Sequence, residues 1–164
     1  MKNRLNGLIF ALLLCFIATF GACRTTVQED VCRLRFGVFF PTERSAEPLD
    51  GRMLLLISSD DSAEPRFQIS DGPGTQLAFG LDVEGLKPGE AAVFDGTVFG
   101  YPLKSLAELP AGEYWVQALL NRYETFQLAS GHTVKLPPDK GEGQRWSRKP
   151  GNLYSLPAKM ILDP

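Results

Sequence analysis

Apolar side chains fall at every second position in residues 32–40, where Leu34, Phe36, Val38 and Phe40 alternate with Arg33, Arg35, Gly37 and Phe39. The spacing returns in residues 77–83, where Leu77, Phe79, Leu81 and Val83 alternate with Ala78, Gly80 and Asp82. Successive side chains point to opposite sides only in extended backbone, so this period commits both stretches to half-buried strands. Pro41 closes the first and Lys87-Pro88-Gly89 the second. Between them, residues 52–58 carry the unbroken run Met53-Leu54-Leu55-Leu56-Ile57. That run is too short for an ordinary helix and suits a central strand covered on both faces.

The remaining segments extend the pattern. A short strand is expected at residues 66–69, followed by the turn Asp71-Gly72-Pro73-Gly74. Residues 91–94 and 97–101 flank Asp95-Gly96, a pair that tolerates positive φ and predicts a hairpin. Residues 102–109 suit one helical turn. Late strands at 133–136 and 159–162 bring the expected count to about seven or eight, and 16 glycines and 12 prolines supply the turns such a chain needs. The expected class is all-β. In Leu109-Pro110-Ala111-Gly112-Glu113-Tyr114-Trp115-Val116, the pattern Leu-x-x-Gly-x-Tyr-x-Val looks like the tyrosine corner of immunoglobulin-like β-sandwiches. Tyr114 then takes a structural role, buried at the start of a strand with its hydroxyl bonded to nearby backbone.

The beginning of the chain has another origin. Lys2 and Arg4 precede residues 5–23, which carry no charge and centre on an apolar stretch at 8–18. A basic start followed by an apolar run is the layout of an export signal. It ends in Phe20-Gly21-Ala22-Cys23, which resembles the lipobox of bacterial lipoproteins, with Phe20 where leucine is usual. The resemblance implies cleavage before Cys23 and a diacylglycerol on its thiol. The expected organisation is a signal peptide, entering the membrane as a helix, over residues 1–22, a lipidated tether over 23–31 and a β-sandwich domain over 32–164. An uncleaved anchor is an alternative, since 19 uncharged residues can just span the roughly 30 Å hydrocarbon core, and an ordinary secretory signal is another. All three place the domain in the bacterial cell envelope, facing the periplasm or the exterior. Arg24, rather than an aspartate, follows the lipid site, which favours the outer membrane in a diderm host. Cys15 leaves with the leader, so Cys32 is expected as a lone thiol, buried at the start of the first strand.

Several chemistries lack their residues. The net charge is −2 and the basic excess at 145–149 is short, which argues against nucleic acid as a partner. No serine has glycine two positions before it, as the nucleophile elbow of α/β-hydrolases requires. Gly141-Glu142-Gly143 neither follows a strand closely nor opens a helix, so no dinucleotide fingerprint is present. Asp60-Asp61 suits a solvated turn. The single histidine, His132, sits in Ser130-Gly131-His132-Thr133 and suits an exposed turn, although a hydrolase site built from His132, Asp139 and Glu142 is an alternative. No cofactor or metal is expected, because these three lack the spacing that fixes ligands together.

About 22 residues, 137–158, separate the last two expected strands. Connections of that length in compact domains are usually functional or disordered, and Trp146 and Tyr154 argue against disorder. Arg145, Arg148 and Lys149 flank Trp146, placing cations beside an aromatic face. Arg145, Trp146, Arg148, Lys149 and Tyr154 are therefore the candidate binding residues. The competing reading has Trp146 and Tyr154 fold back to close the end of the sandwich.

A family resemblance covers about residues 50–164. It is carried by Glu64-Pro65-Arg66-Phe67-Gln68-Ile69, Asp82-Val83-Glu84-Gly85-Leu86-Lys87-Pro88-Gly89, Gly100-Tyr101-Pro102-Leu103-Lys104-Ser105-Leu106, the tyrosine-corner segment continuing to Asn121, Gly131-His132-Thr133-Val134, Gly141-Glu142-Gly143-Gln144 and Pro150-Gly151-Asn152-Leu153-Tyr154-Ser155. These phrases resemble the N-terminal β-sandwich region ahead of the catalytic domain in secreted bacterial proteins of the enterochelin-esterase-like group. The resemblance implies a non-catalytic accessory module, since the hydrolytic serine of that group lies in a downstream domain. A module that positions a hydrolase is one expectation, and a glycan-binding module using Trp146 and Tyr154 as stacking platforms is another. The leader gives a direct test. Cells fed radioactive palmitate should label the wild-type chain and leave a Cys23→Ala variant unlabelled; label retained on the variant overturns lipidation at Cys23.

Overall fold

The computed structural model describes residues 34–164; the leader, Cys23, the tether and Cys32 lie outside the described residues. Among the described residues ten strands follow in order: β1 (Phe36–Val38), β2 (Leu49–Ser58), β3 (Leu77–Leu86), β4 (Ala92–Phe94), β5 (Gly100–Tyr101), β6 (Gly112–Arg122), β7 (Glu124–Gln127), β8 (Thr133–Leu136), β9 (Leu153–Tyr154) and β10 (Ala158–Leu162). Two short 3-10 turns, Pro65–Phe67 and Leu106–Glu108, are the helical elements among the described residues. The chain is an all-β, antiparallel, sandwich-like fold. No helix among the described residues is long and apolar enough to cross a membrane.

One six-stranded sheet organises the rest, in the order β10-β6-β2-β3-β5, with β9 also paired to β6. The apolar run in β2 lies in its middle, between β3 and β6. Met53, Leu55 and Ile57 point to one face, where they meet Phe79 and Val83 of β3 and Val116 and Leu120 of β6. The two-stranded β1-β4 sheet covers that face with Phe36, Val38, Ala92 and Phe94, and Leu106 and Leu109 close it. The layers are therefore unequal. Alternation in the first strand holds, with Leu34, Phe36, Val38 and Phe40 turned to the core, although regular pairing is confined to β1. At Gly100 of β5 a Cβ would overlap the ring of buried Phe79, so only glycine lets these two strands approach as they do.

Three local expectations are corrected. The segment expected as a strand at 66–69 begins instead with the 3-10 turn Pro65–Phe67, closed by Phe67 N–H donating to Glu64 O at 2.8 Å. Pro65 fixes the φ that starts such a turn and offers no N–H to a ladder. The strands flanking Asp95-Gly96 do not pair with each other. Asp95 does form the turn, accepting from Thr97 N–H at 2.9 Å, but β4 pairs with β1 and β5 with β3, so the turn carries the chain between layers. Finally, 137–158 is not one loop: β9 adds to β6 through Leu119 opposite Tyr154, and Ser155 N–H donates to Ala118 O. The β7-β8 hairpin supplies a further pairing, Phe126 opposite Val134, that the sequence pattern did not indicate.

Tyr114 is the third residue of β6, and its hydroxyl donates to Pro110 O at 2.8 Å, the backbone bond expected of a tyrosine corner. The side chain packs on the core but is half-buried rather than buried. Partial access to water lowers the value of its hydrogen bond. Tyr114→Phe should reduce unfolding free energy by about 0.5–1.5 kcal/mol in urea titration, and an unchanged midpoint would show that the bond contributes nothing.

Candidate functional site

The second face of the sheet is polar at its centre. Leu54, Leu56 and Ser58 of β2 lie beside Leu119, Gln117 and Trp115 of β6, and Gln117 and Ser58 are fully buried. A buried amide must find partners for one acceptor and two N–H groups. Gln117 finds them in two segments, the 3-10 turn and the late chain: its Oε1 accepts from Arg66 N–H at 3.1 Å, and its Nε2 donates to Glu64 Oε2 at 2.8 Å and to Ser155 O at 2.9 Å. Ser58 Oγ donates to Gln68 Oε1 at 2.7 Å and holds the far side of the same turn. The 3-10 turn is thus fastened across the sheet by directional bonds.

That fastening aims Arg66. Its Nε donates to Glu64 Oε2 at 2.8 Å and its Nη1 to Ser147 O at 3.2 Å, tying the turn to the late segment. Its guanidinium lies 3.7 Å from the Tyr154 ring centroid and 4.4 Å from that of Phe67. Arg148 covers Phe67 as well, at 4.2 Å. Guanidinium over an aromatic face is favourable because the ring carries negative charge on its faces.

The late segment is pinned to the end of β6 by a second network. Asn152 Oδ1 accepts from Arg122 N–H at 3.0 Å, and its Nδ2 donates to Asn121 Oδ1 and Trp146 O. Lys149 is buried, with its Nζ donating to Arg122 O at 2.6 Å and Asn121 Oδ1 at 3.1 Å. Burial pushes the Lys149 ammonium below the usual lysine range, opposed by the charges of Glu142 and Glu124.

Between the two fastenings lies a cavity of about 390 Å³, lined by Arg66 and Phe67 of the turn, by residues 147–152 and by Tyr154. Arg148, Lys149 and Tyr154 of the expected binding set meet here. Arg145 is exposed and Trp146 partly buried, and neither lines the cavity. Trp146 and Tyr154 therefore do not share it as paired platforms. Arg66, Phe67, Glu64 and Gln117 were not legible as site residues, although a glutamine within the apolar run Val116-Gln117-Ala118-Leu119-Leu120 signals a buried polar partner. His132 sits exposed in the β7-β8 turn with Nδ1 3.0 Å from Ser130 Oγ. Asp139 and Glu142 accept from the nearby Gly141 and Lys140 N–H groups, and no group of three metal-ligating side chains occurs among the described residues. Comparison with known protein families, with curated proteins and with solved structures finds no match to this chain.

The Glu64 carboxyl is held below its ordinary value of 4.5, first by the hydrogen bond from Arg66 and then by that from Gln117. A lowered folded-state pKa stabilises the fold above the unfolded value, and that contribution is lost as pH falls through the folded one. Urea midpoints of wild type should therefore drop faster than those of Glu64→Gln between about pH 5 and pH 3. Parallel profiles would show that Glu64 is not coupled to folding.

Proposed function

We propose that this chain is an exported, lipid-anchored, non-catalytic binding module, accessory to an envelope hydrolase, whose contact site is the cavity between the Pro65–Phe67 turn and residues 147–152. The observation that carries the reading is the way two polar networks present Arg66, Phe67, Arg148 and Tyr154 at one opening. Tyr154 is 53% exposed although one side of its ring carries Arg66. A side chain serving only to close the sandwich would gain more by burying that area, since apolar surface returns about 25 cal/mol per Å² removed from water. Exposed aromatic and arginine side chains on a rigid frame are the usual anchors of recognition. The esterase association rests on the sequence resemblance, and the membrane anchor on Cys23.

The runner-up is a hydrolase using the Ser130-His132 pair, favoured by the 3.0 Å contact between Oγ and Nδ1. Against it, both residues stand on an exposed turn, where water competes for every charge that develops. Two measurements on the full-length chain in detergent separate the readings. Chromogenic esters should show no turnover above that of His132→Ala, and retention on envelope polysaccharide from the host should be lost in Tyr154→Ala while the cooperative melting transition is retained. Ester turnover abolished by His132→Ala would overturn the module reading, as would full retention by Tyr154→Ala.

A further inference from the structure

We propose that the cavity receives the oxyanion of an acidic sugar, a carboxylate or phosphate carried on a saccharide ring, with Arg148 and Lys149 as its charge partners and Tyr154 as the surface for the ring. The inference rests on the binding-module reading and names the ligand class for that same site. Arg66, Arg148 and Lys149 line the cavity and no acidic residue does, in a chain whose net charge is −2. The lining is thus cationic, while Glu64 offsets Arg66 and Glu142 and Glu124 act on Lys149 from outside it.

The three cations differ in what they have left to give. Arg66 is matched by Glu64 at 2.8 Å and by the Ser147 carbonyl, so it acts as a scaffold. Arg148 has no side-chain hydrogen bond or ion pair among the described residues; its contact is the face of Phe67. That contact engages the guanidinium through the ring face and leaves its N–H groups for a ligand, and a guanidinium suits the two oxygens of a carboxylate or phosphate. Lys149 is buried beside two neutral acceptors, Asn121 Oδ1 and Arg122 O. An ammonium has three N–H groups, so one remains without an acceptor among the described residues. Glu142 and Glu124 attract Lys149 through space, but neither lines the cavity. Buried N–H groups are ordinarily paired, and an incoming oxyanion would accept the one that these through-space charges leave without a hydrogen bond.

Charge alone would accept any anion. The cavity volume of about 390 Å³ falls within the range of small-molecule sites, roughly 300–1,000 Å³, and gives room for a ring beside the charged group. Tyr154 offers that ring an apolar surface. A neutral sugar would leave Arg148 unpaired and forgo the strongest available bonds.

Calorimetric titration of the full-length chain in detergent micelles at low salt tests the assignment. The probes are oligogalacturonate, glucose 6-phosphate, neutral galactose oligomers and oligoglutamate. Oligogalacturonate or glucose 6-phosphate should bind, and which of them does identifies the oxyanion as carboxylate or phosphate. Arg148→Gln should weaken that binding by about tenfold or more, the scale of one charge-assisted hydrogen bond, while the fold is retained. Tyr154→Ala should weaken it as well while retaining the fold. Absence of binding by both acidic sugars, equal binding of neutral galactose or of oligoglutamate, or unchanged affinity in Arg148→Gln would overturn the proposal. If neither acidic sugar binds but Tyr154→Ala still loses retention on envelope polysaccharide, the ligand class falls and the module reading stands.

Discussion

The side chain of Gln117 is fully buried in the middle of β6, and its three hydrogen bonds join it to the 3-10 turn, through Arg66 N–H and the Glu64 carboxylate, and to the late chain, through the Ser155 carbonyl. Each of those segments is far from Gln117 in sequence. An amide in this position is costly when unpaired, because a buried polar group without a partner forfeits about 1–3 kcal/mol of solvation. Fully paired, it specifies one arrangement of its neighbours. The direction of Arg66, and through it the shape of the cavity, depends on that arrangement.

The two faces of the main sheet divide the work of the molecule. On one, Leu55, Ile57, Phe79 and Phe94 pack without polar atoms, and burial there supplies the non-directional part of stability. On the other, Gln117, Ser58, Asn121 and Asn152 hold turns and late segments by bonds that tolerate little displacement. The candidate site lies on the second face and so has fixed geometry at the surface. The apolar face could not do this, since apolar contacts favour closeness over direction and are spent in covering β1 and β4.

β6 is the element through which the halves communicate. It pairs with β2 on one side and with both β9 and β10 on the other, while its end accepts Lys149 through the Asn121 side chain and the Arg122 carbonyl. The late chain therefore returns to the sheet twice, and residues 145–152 are held near both ends. A segment fixed in this way leaves Arg148 and Tyr154 less conformational freedom, which is the physical advantage a preorganised site would have for the proposed binding.

How much could be read in advance follows from the range of the physics involved. The alternation of Leu34, Phe36, Val38 and Phe40, the run in β2 and the pattern around Tyr114 are local, and each determined its strand or its hydroxyl bond without knowledge of the rest. Side-chain period and turn chemistry act over a few residues, so a sequence displays them directly. Pairing is not local: the strands beside Asp95-Gly96 look like hairpin partners, yet β4 joins β1 and β5 joins β3 because Phe94 is buried in the core. The site shows the same division. Arg148, Lys149 and Tyr154 were visible as a cationic and aromatic cluster, while Arg66 and Phe67 reached them only through Gln117, 51 residues from Arg66 along the chain. Sequence by itself determined the strands and the chemistry of the late segment. Tertiary structure alone decided which strands meet and which cations share an opening, because those outcomes depend on satisfying buried groups whose partners lie far away in the chain.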